Sequence, residues 1–172
     1  LIKDKVDVLH TIGGDDTNTT ASDLVEYLKN KKYTLTVVGL PKTIDNDVYP
    51  IAQTLGAYTA AEQSAKFFEN IVNENTTSSR QLIIHEVMGR NCGWLTAYSS
   101  FLYKKNVANR KFIPEIKLYK EKWDIHAIYI PELDFDLSQE VIRLNKIMDT
   151  YDCVNIFLSE GAGINNIINK KK

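Results

Sequence analysis

Apolar positions along the chain alternate between two patterns: short near-continuous runs, and stretches where they recur every three to four residues. The runs predict strands over 6–12, 34–40, 82–87, 125–130 and 153–158, each brief and bounded by turn-forming residues. Ala21, Leu24, Val25 and Leu28 fall at i, i+3, i+4 and i+7, which predicts a helix whose start Thr19 or Thr20 could cap. Further helices are expected over 56–73, over 93–105, and around Val141, Leu144, Met148 and Tyr151, with Trp94, Phe101 and Tyr103 as core residues. Strand and helix signals alternate, as in a parallel α/β sheet. The stretch 34–40 is so continuously β-branched and apolar that it predicts a strand covered on both faces. Polar loops are expected over 41–53 and 73–79, and the irregular, basic stretch 106–124 reads as an insertion.

Within that alternation, polar and glycine clusters follow the strands ending near 12, 40, 87 and 158. In open α/β sheets ligands bind at the carboxyl ends of the strands, so these clusters could converge on one site. Gly13-Gly14-Asp15-Asp16-Thr17 joins a strand to a helix. Its glycines allow close backbone approach to a phosphate, and the helix N-terminus favours negative charge. Two aspartates there suit a hard cation such as Mg²⁺, which bridges carboxylate and phosphate oxygens. Pro41-Lys42-Thr43-Ile44-Asp45-Asn46-Asp47 gathers two carboxylates, a lysine and a threonine on one loop. Those are the types needed for a base, a metal contact and phosphate donors in phosphoryl transfer. Taken singly, the first cluster also reads as a capped strand–helix turn, and the second as an Asx-rich surface turn. No G-x-x-x-x-G-K-[ST] loop occurs.

Composition narrows the partners. The 172 residues are 44% hydrophobic and 25% charged, ordinary for a soluble globular protein of one domain or two small ones. A net charge of -1 and a pI near 6.4 give no bulk attraction to nucleic acid or an anionic membrane, so anions must be held by local charge and backbone dipoles. Cys92 and Cys153 fit no metal-ligand spacing and read as reduced thiols of a cytoplasmic protein. No run approaches the ~20 apolar residues of a membrane span. Both ends read as cuts through a larger protein, the second in the solvated run Lys170-Lys171-Lys172. His10, His85 and His126 read as packed or surface residues.

Gly-Gly-Asp-Asp-Thr, Pro-Lys-Thr-Ile-Asp-Asn-Asp, Met88-Gly89-Arg90 and Ser159-Glu160-Gly161-Ala162, in that order, resemble the phosphofructokinase family over nearly the whole chain. The resemblance implies two Rossmann-type parallel α/β domains with the site in the interdomain cleft. Residues 1–56 would be part of the phosphoryl-donor domain, and 57–172 most of the sugar-phosphate domain. It implies transfer of a phosphoryl group to the C1 hydroxyl of fructose 6-phosphate, with Mg²⁺ as cofactor, in a cytoplasmic homo-oligomer.

By that resemblance Asp45 is the general base, Thr43 hydrogen-bonds the transferring group and Arg90 neutralises charge developing on it. Asp15 holds Mg²⁺, and Asp47 is a second metal or phosphate contact. Gly14 lets the donor approach, Met88 and Gly89 line the sugar site, and Glu160 accepts from the sugar hydroxyls. Arg80 matches an arginine that the family donates to phosphate across a subunit interface, one residue further from its strand end than in bacterial ATP enzymes. Ile130-Pro131-Glu132 also matches a family position, with no catalytic role expected. The family's first strand and phosphate loop would precede Leu1, and its His and Arg contacts to the sugar 6-phosphate would follow Lys172.

Two positions point to pyrophosphate as the donor. Asp16 stands where ATP-using bacterial relatives have glycine, placing bulk and negative charge against a nucleotide's inner phosphate. Lys42 replaces another glycine and supplies a cation for a donor without adenosine. The alternatives are an ATP-dependent 6-phosphofructokinase and a non-catalytic regulatory half or subunit. NAD and lipid kinases share the Gly-Gly-Asp turn but lack the Lys-Thr-Ile-Asp-Asn-Asp loop and the Met-Gly-Arg strand end.

Overall fold

A computed structural model describes residues 1–164. The chain divides into two compact units, Leu1–Tyr58 and Thr59–Lys172. The run Lys170-Lys171-Lys172 lies outside the described residues.

In the first unit, β1 (Val8–Gly13) and β2 (Thr36–Pro41) pair in parallel, in register from Val8 opposite Thr36 to Gly13 opposite Pro41. Helix α1 (Asp15–Asn30) connects them and buries Ala21 and Leu28. It starts four or five residues before the expected Thr19 or Thr20 cap. Gly14 occupies the N-cap in extended geometry, and the Thr20 hydroxyl donates back to the Asp16 carbonyl at 2.8 Å from inside the helix. Asp15 and Asp16 in the first turn complement the helix dipole and carry the helix back to the strand end. The second correction concerns coverage. Residues on a strand alternate between faces, and on the side opposite that of Leu9, Thr11, Val37 and Gly39, Val8, Ile12, Val38 and Leu40 are exposed. Among the described residues the pair is therefore covered on one face, not two.

The second unit holds a parallel sheet of order β3-β5-β4, built from β3 (Gln81–Val87), β4 (Ala127–Tyr129) and β5 (Cys153–Ser159). Helix α2 (Ala57–Ile71), whose first two residues belong to the first unit, and α3 (Trp94–Ala108) pack on one face; α4 (Leu137–Tyr151) packs on the other. Alternate β5 residues serve the two faces. Phe157 meets Phe68 of α2 at 4.5 Å between ring centroids, and Phe68 meets Tyr103 of α3 at 4.7 Å. On the other face Val154 and Ile156 join Leu144, Ile147 and Met148. Ala61, Ala65, Phe68 and Val72 form the buried stripe of α2 and its extension, with small residues allowing close approach to the sheet.

Three local expectations change here. The polar stretch after α2 contains a short 3-10 helix, Val72–Thr76, with Asn75 fully buried. The stretch 106–124 carries two more, Pro114–Ile116 and Lys120–Lys122. It is pinned to the sheet by a polar core: Asn155 on β5 donates to the carbonyls of Lys122 (3.1 Å) and Asp124 (2.8 Å) and accepts from Asn75 (2.7 Å). Phe101 is exposed rather than core, because it lies on the outer side of α3 beside Tyr98, whereas Tyr103 is fully buried. No helix among the described residues is long and apolar enough to cross a membrane.

Candidate functional site

The strand register of the first unit brings its two polar clusters to one edge. With Gly13 opposite Pro41, the Lys42 backbone N–H donates to the Gly13 carbonyl at 2.7 Å. A Cβ built on Gly14 would lie 3.9 Å from the Thr43 Cβ, so the two turns are near neighbours and packing alone does not require glycine there. Asp15 and Asp16 sit exposed in the first turn of α1, where the helix N-terminus offers partial positive charge. Asp16 also lines a hollow of about 380 Å³ over β1, with Leu9, Thr11 and Thr17. The edge thus collects Gly14, Asp15, Asp16, Lys42 and Thr43 at the carboxyl ends of parallel strands, where α/β sheets bind ligands.

The loop after β2 is closed by side chains that carry none of the assigned chemistry. Asn46 takes a left-handed conformation (φ 56°), which asparagine tolerates better than most residues. Its Oδ1 accepts from the Thr54 backbone N–H at 2.8 Å. The buried Thr54 hydroxyl donates to the Thr43 carbonyl at 2.7 Å, and the Leu55 N–H donates to the Pro41 carbonyl at 3.0 Å. The loop therefore folds back on its own stem. Within it the half-buried Asp45 receives its geometry locally: its N–H donates to the Thr43 Oγ1 at 3.2 Å. Asp47, one residue beyond Asn46, is exposed. Thr54 is a positional residue that no sequence signal marks.

In the second unit the register Val87 opposite Ser159 brings the other two motifs together. The Glu160 N–H donates to the Val87 carbonyl at 2.9 Å, and the Ser159 hydroxyl and Gly161 N–H both donate to the Gly89 carbonyl, at 2.6 and 3.3 Å. Gly89 has φ +134°, and a Cβ there would also overlap the Cys92 carbonyl. Gly161 packs against the Arg90 backbone so closely that a Cβ would come within 2.6 Å of the Arg90 carbonyl carbon. The Arg90 and Glu160 side chains reach outward as a loose pair, Nε to Oε1 3.7 Å, and Met88 is exposed. Such an open pair contributes little to stability and leaves both groups available to a ligand.

Glu132 and Gly93 also hold this loop. The Gly93 N–H donates to Glu132 Oε1 at 2.7 Å at the start of α3, and a Cβ on Gly93 would meet Glu132 Oε2 at 2.6 Å. The Ile-Pro-Glu tripeptide marked the position, but its contact with Gly93 is tertiary and invisible in sequence.

Arg80 is not brought to this edge. It precedes β3, at the end opposite Met88, and donates to Asp149 Oδ1 at 2.8 Å while its N–H donates to Asp152 Oδ1 at 3.0 Å. His85 and His126 are packed, and burial lowers the pKa of both. His85 Nε2 lies 3.0 Å from the Ser64 hydroxyl, and His126 Nδ1 accepts from the Asn155 N–H at 2.9 Å. Cys153 is a buried free thiol, which burial pushes up to about 11.

The comparisons with known proteins agree on one family. The model of the family described as "Phosphofructokinase" matches residues 1–171. The chain is 60% identical over 168 residues to a pyrophosphate–fructose 6-phosphate 1-phosphotransferase of Mastigamoeba balamuthi, covering 98% of this chain and 41% of that protein. It is 56% identical over 168 residues to the enzyme of the same name from Methylomonas methanica, with the same coverage. Among solved structures, the pyrophosphate-dependent phosphofructokinase of Marinobacter aquaeolei superposes with a TM-score of 0.66 at 24% identity, covering 98% of this chain and 41% of that one. The chain thus spans about two-fifths of the length of these relatives.

Proposed function

The chain belongs to the phosphofructokinase family, and on that premise we propose that the protein containing it transfers a phosphoryl group from pyrophosphate to the C1 hydroxyl of fructose 6-phosphate. The observation that carries this reading is the bond from the Lys42 N–H to the Gly13 carbonyl, which joins the phosphate-type turn to the loop of the candidate base. The names of the relatives that are 56–60% identical support the same donor and acceptor.

In this reading Asp45 accepts the proton of the C1 hydroxyl as its oxygen attacks the terminal phosphorus. The bridging P–O bond breaks and orthophosphate leaves, so the products are fructose 1,6-bisphosphate and phosphate. Thr43 donates to the transferring group, and Lys42 faces donor oxygens with a positive charge. Arg90 offsets the charge that develops on the equatorial oxygens. Glu160 accepts from sugar hydroxyls, while Met88 and Gly89 shape the surface against the sugar. Arg80, on the far end of β3, would serve a second subunit of a homo-oligomer.

Mg²⁺ fits the carboxylates of the first unit's edge. Among the described residues no three His, Cys, Asp or Glu side chains gather into a cage. Magnesium needs none, since it is commonly held by one or two carboxylates together with substrate phosphates and water. Asp15, exposed at the helix N-terminus, offers the carboxylate, and Asp47 a second one. When bound, the ion would neutralise phosphate charge and align the donor.

The test is Asp45→Asn in the full-length enzyme. Loss of a general base costs about 10²–10⁴ in kcat, and the KM for fructose 6-phosphate should stay within a few-fold because the lost interaction belongs to the transition state. Near-normal kcat would remove Asp45 from the role.

A further inference from the structure

Behind the exposed edge of the first unit, one side chain that no sequence signal marked touches both glycines of the phosphate-type turn. Asn18, in the first turns of α1, donates its Nδ2 to the Gly14 carbonyl at 2.8 Å and to the Gly13 carbonyl at 3.2 Å. Each carbonyl has a second donor: the Lys42 N–H at 2.7 Å for Gly13, and the Asn18 backbone N–H at 3.2 Å for Gly14. Both oxygens are thereby fully used on their inner side.

The consequence follows from peptide geometry. In a trans peptide the carbonyl oxygen and the next residue's N–H point in opposite directions. Holding the Gly13 and Gly14 carbonyls inward therefore fixes the Gly14 and Asp15 N–H groups outward. A turn free to rotate would present carbonyl oxygens to an anion; this one presents donors, at a helix N-terminus that already favours negative charge.

The placement of the amide has a counterpart on β2. A Cβ on Gly39 would lie 2.5 Å from Asn18 Oδ1 and 3.5 Å from its Cγ. Gly39 does not lie in the left-handed region, so it is glycine for room rather than for conformation. The Asn18 Oδ1 fills that room, buried and without a hydrogen-bond partner, an unfavourable position for an acceptor. The reverse amide orientation would satisfy nothing better, because it would set the oxygen against two carbonyl oxygens.

We propose that Asn18 is the positioning residue of the donor turn, and that Gly39 is the residue that makes space for it. This rests on the reading of that turn as the donor-phosphate site. Asn18 touches no reacting atom; it acts by keeping two backbone N–H groups aimed at the donor.

The experiment uses the full-length enzyme with Asn18→Ala, Gly39→Ala and the double variant, with kcat and KM measured separately for Mg-pyrophosphate and fructose 6-phosphate. Misplacement by about 1 Å can cost ~10²-fold in rate. Asn18→Ala should thus raise the pyrophosphate KM or lower kcat by about tenfold or more, with the fructose 6-phosphate KM within about twofold. Gly39→Ala should show the same donor-side pattern. The double variant should be no worse than Asn18→Ala, since residues sharing one contact are not additive. Equal shifts in both KM values, an unchanged donor side, or an additive double variant would overturn the proposal. Amide hydrogen exchange at Lys42, whose N–H is bonded to Gly13, supplies a readout independent of turnover: it should accelerate in Asn18→Ala, and unchanged exchange also overturns the proposal. A wild-type enzyme that uses ATP instead would refute the donor reading alone, and the same KM split measured with ATP would still judge Asn18.

Discussion

Ser159 donates its hydroxyl proton to the Gly89 carbonyl at 2.6 Å, so the last residue of β5 holds the loop that follows β3. The bond is buried, and the Gly161 N–H donates to the same oxygen. Arg90 and Glu160, one residue further along each segment, inherit their placement from it.

Ser159→Ala should therefore act on the sugar side. It leaves the Gly161 N–H on the Gly89 oxygen, so the loop loosens without unfolding. We expect the fructose 6-phosphate KM to rise several-fold while the pyrophosphate KM holds. Gly161→Ala should be more severe, because its Cβ would collide with the Arg90 backbone rather than with a movable side chain. Steady-state kinetics with each substrate varied in turn checks both; a donor-side effect from either would contradict the assignment of this loop to the sugar.

Asn155 is expected to matter for stability and not for chemistry. It is fully buried on the central strand and donates to two carbonyls of the segment that packs across the lower end of the sheet. Asn155→Ala takes away the Asp124 carbonyl's donor and one of the two acceptors of Asn75 Nδ2, which keeps the Lys122 carbonyl at 2.8 Å, so the loss is roughly 1–3 kcal/mol. The denaturation midpoint of the full-length enzyme should fall while kcat at low temperature is retained. An unchanged midpoint would show that the network is not stabilising.

A third expectation concerns acid. Arg143 donates to Glu140 through Nε and Nη2 at 2.9 and 2.6 Å, and the Tyr129 hydroxyl donates to it at 2.5 Å, tying α4 to β4. The Arg143 bonds, followed by the Tyr129 bond, hold the Glu140 carboxyl down to about 2, while burial and the Glu140 bond push Tyr129 up to about 12. A carboxyl lowered in the folded state stabilises above its ordinary pKa, and that stabilisation fades as pH falls toward about 2. Glu140 is half-buried but its partner Arg143 is 43% exposed, so solvent screens the pair and the contribution is about 1 kcal/mol or less. Glu140→Gln should lower stability slightly at neutral pH and flatten its fall between the ordinary carboxylate range and strongly acidic pH. Parallel wild-type and variant curves would contradict this.

The order of strands and helices was legible because periodicity and turn residues are local. So were the four clusters at strand ends, since each lies where a run of apolar residues stops. What was not legible is tertiary. Thr54 reaching the Thr43 carbonyl, Glu132 holding the Gly93 N–H and Asn18 bridging Gly13 and Gly14 depend on how segments fold back, and these contacts leave no trace in the local sequence even where, as at Glu132, the position is marked. At the start of α1 the threonine run resembles a cap, whereas the two aspartates before it already belong to the helix. Asn155 was hidden by the apolar residues around it, since a buried amide looks like an interruption until its partners are seen.

Asp16 lies exposed in the first turn of α1 and Lys42 lies exposed after β2, at the two sides of the joined turns. The most direct measurement is kcat/KM of the full-length wild-type enzyme for pyrophosphate and for ATP, with Mg²⁺ and fructose 6-phosphate saturating, followed by Asp16→Gly and Asp16→Gly/Lys42→Gly. The wild type is expected to prefer pyrophosphate, and ATP use to rise in the variants as bulk and negative charge are removed from the turn. Preference of the wild-type enzyme for ATP would contradict this expectation.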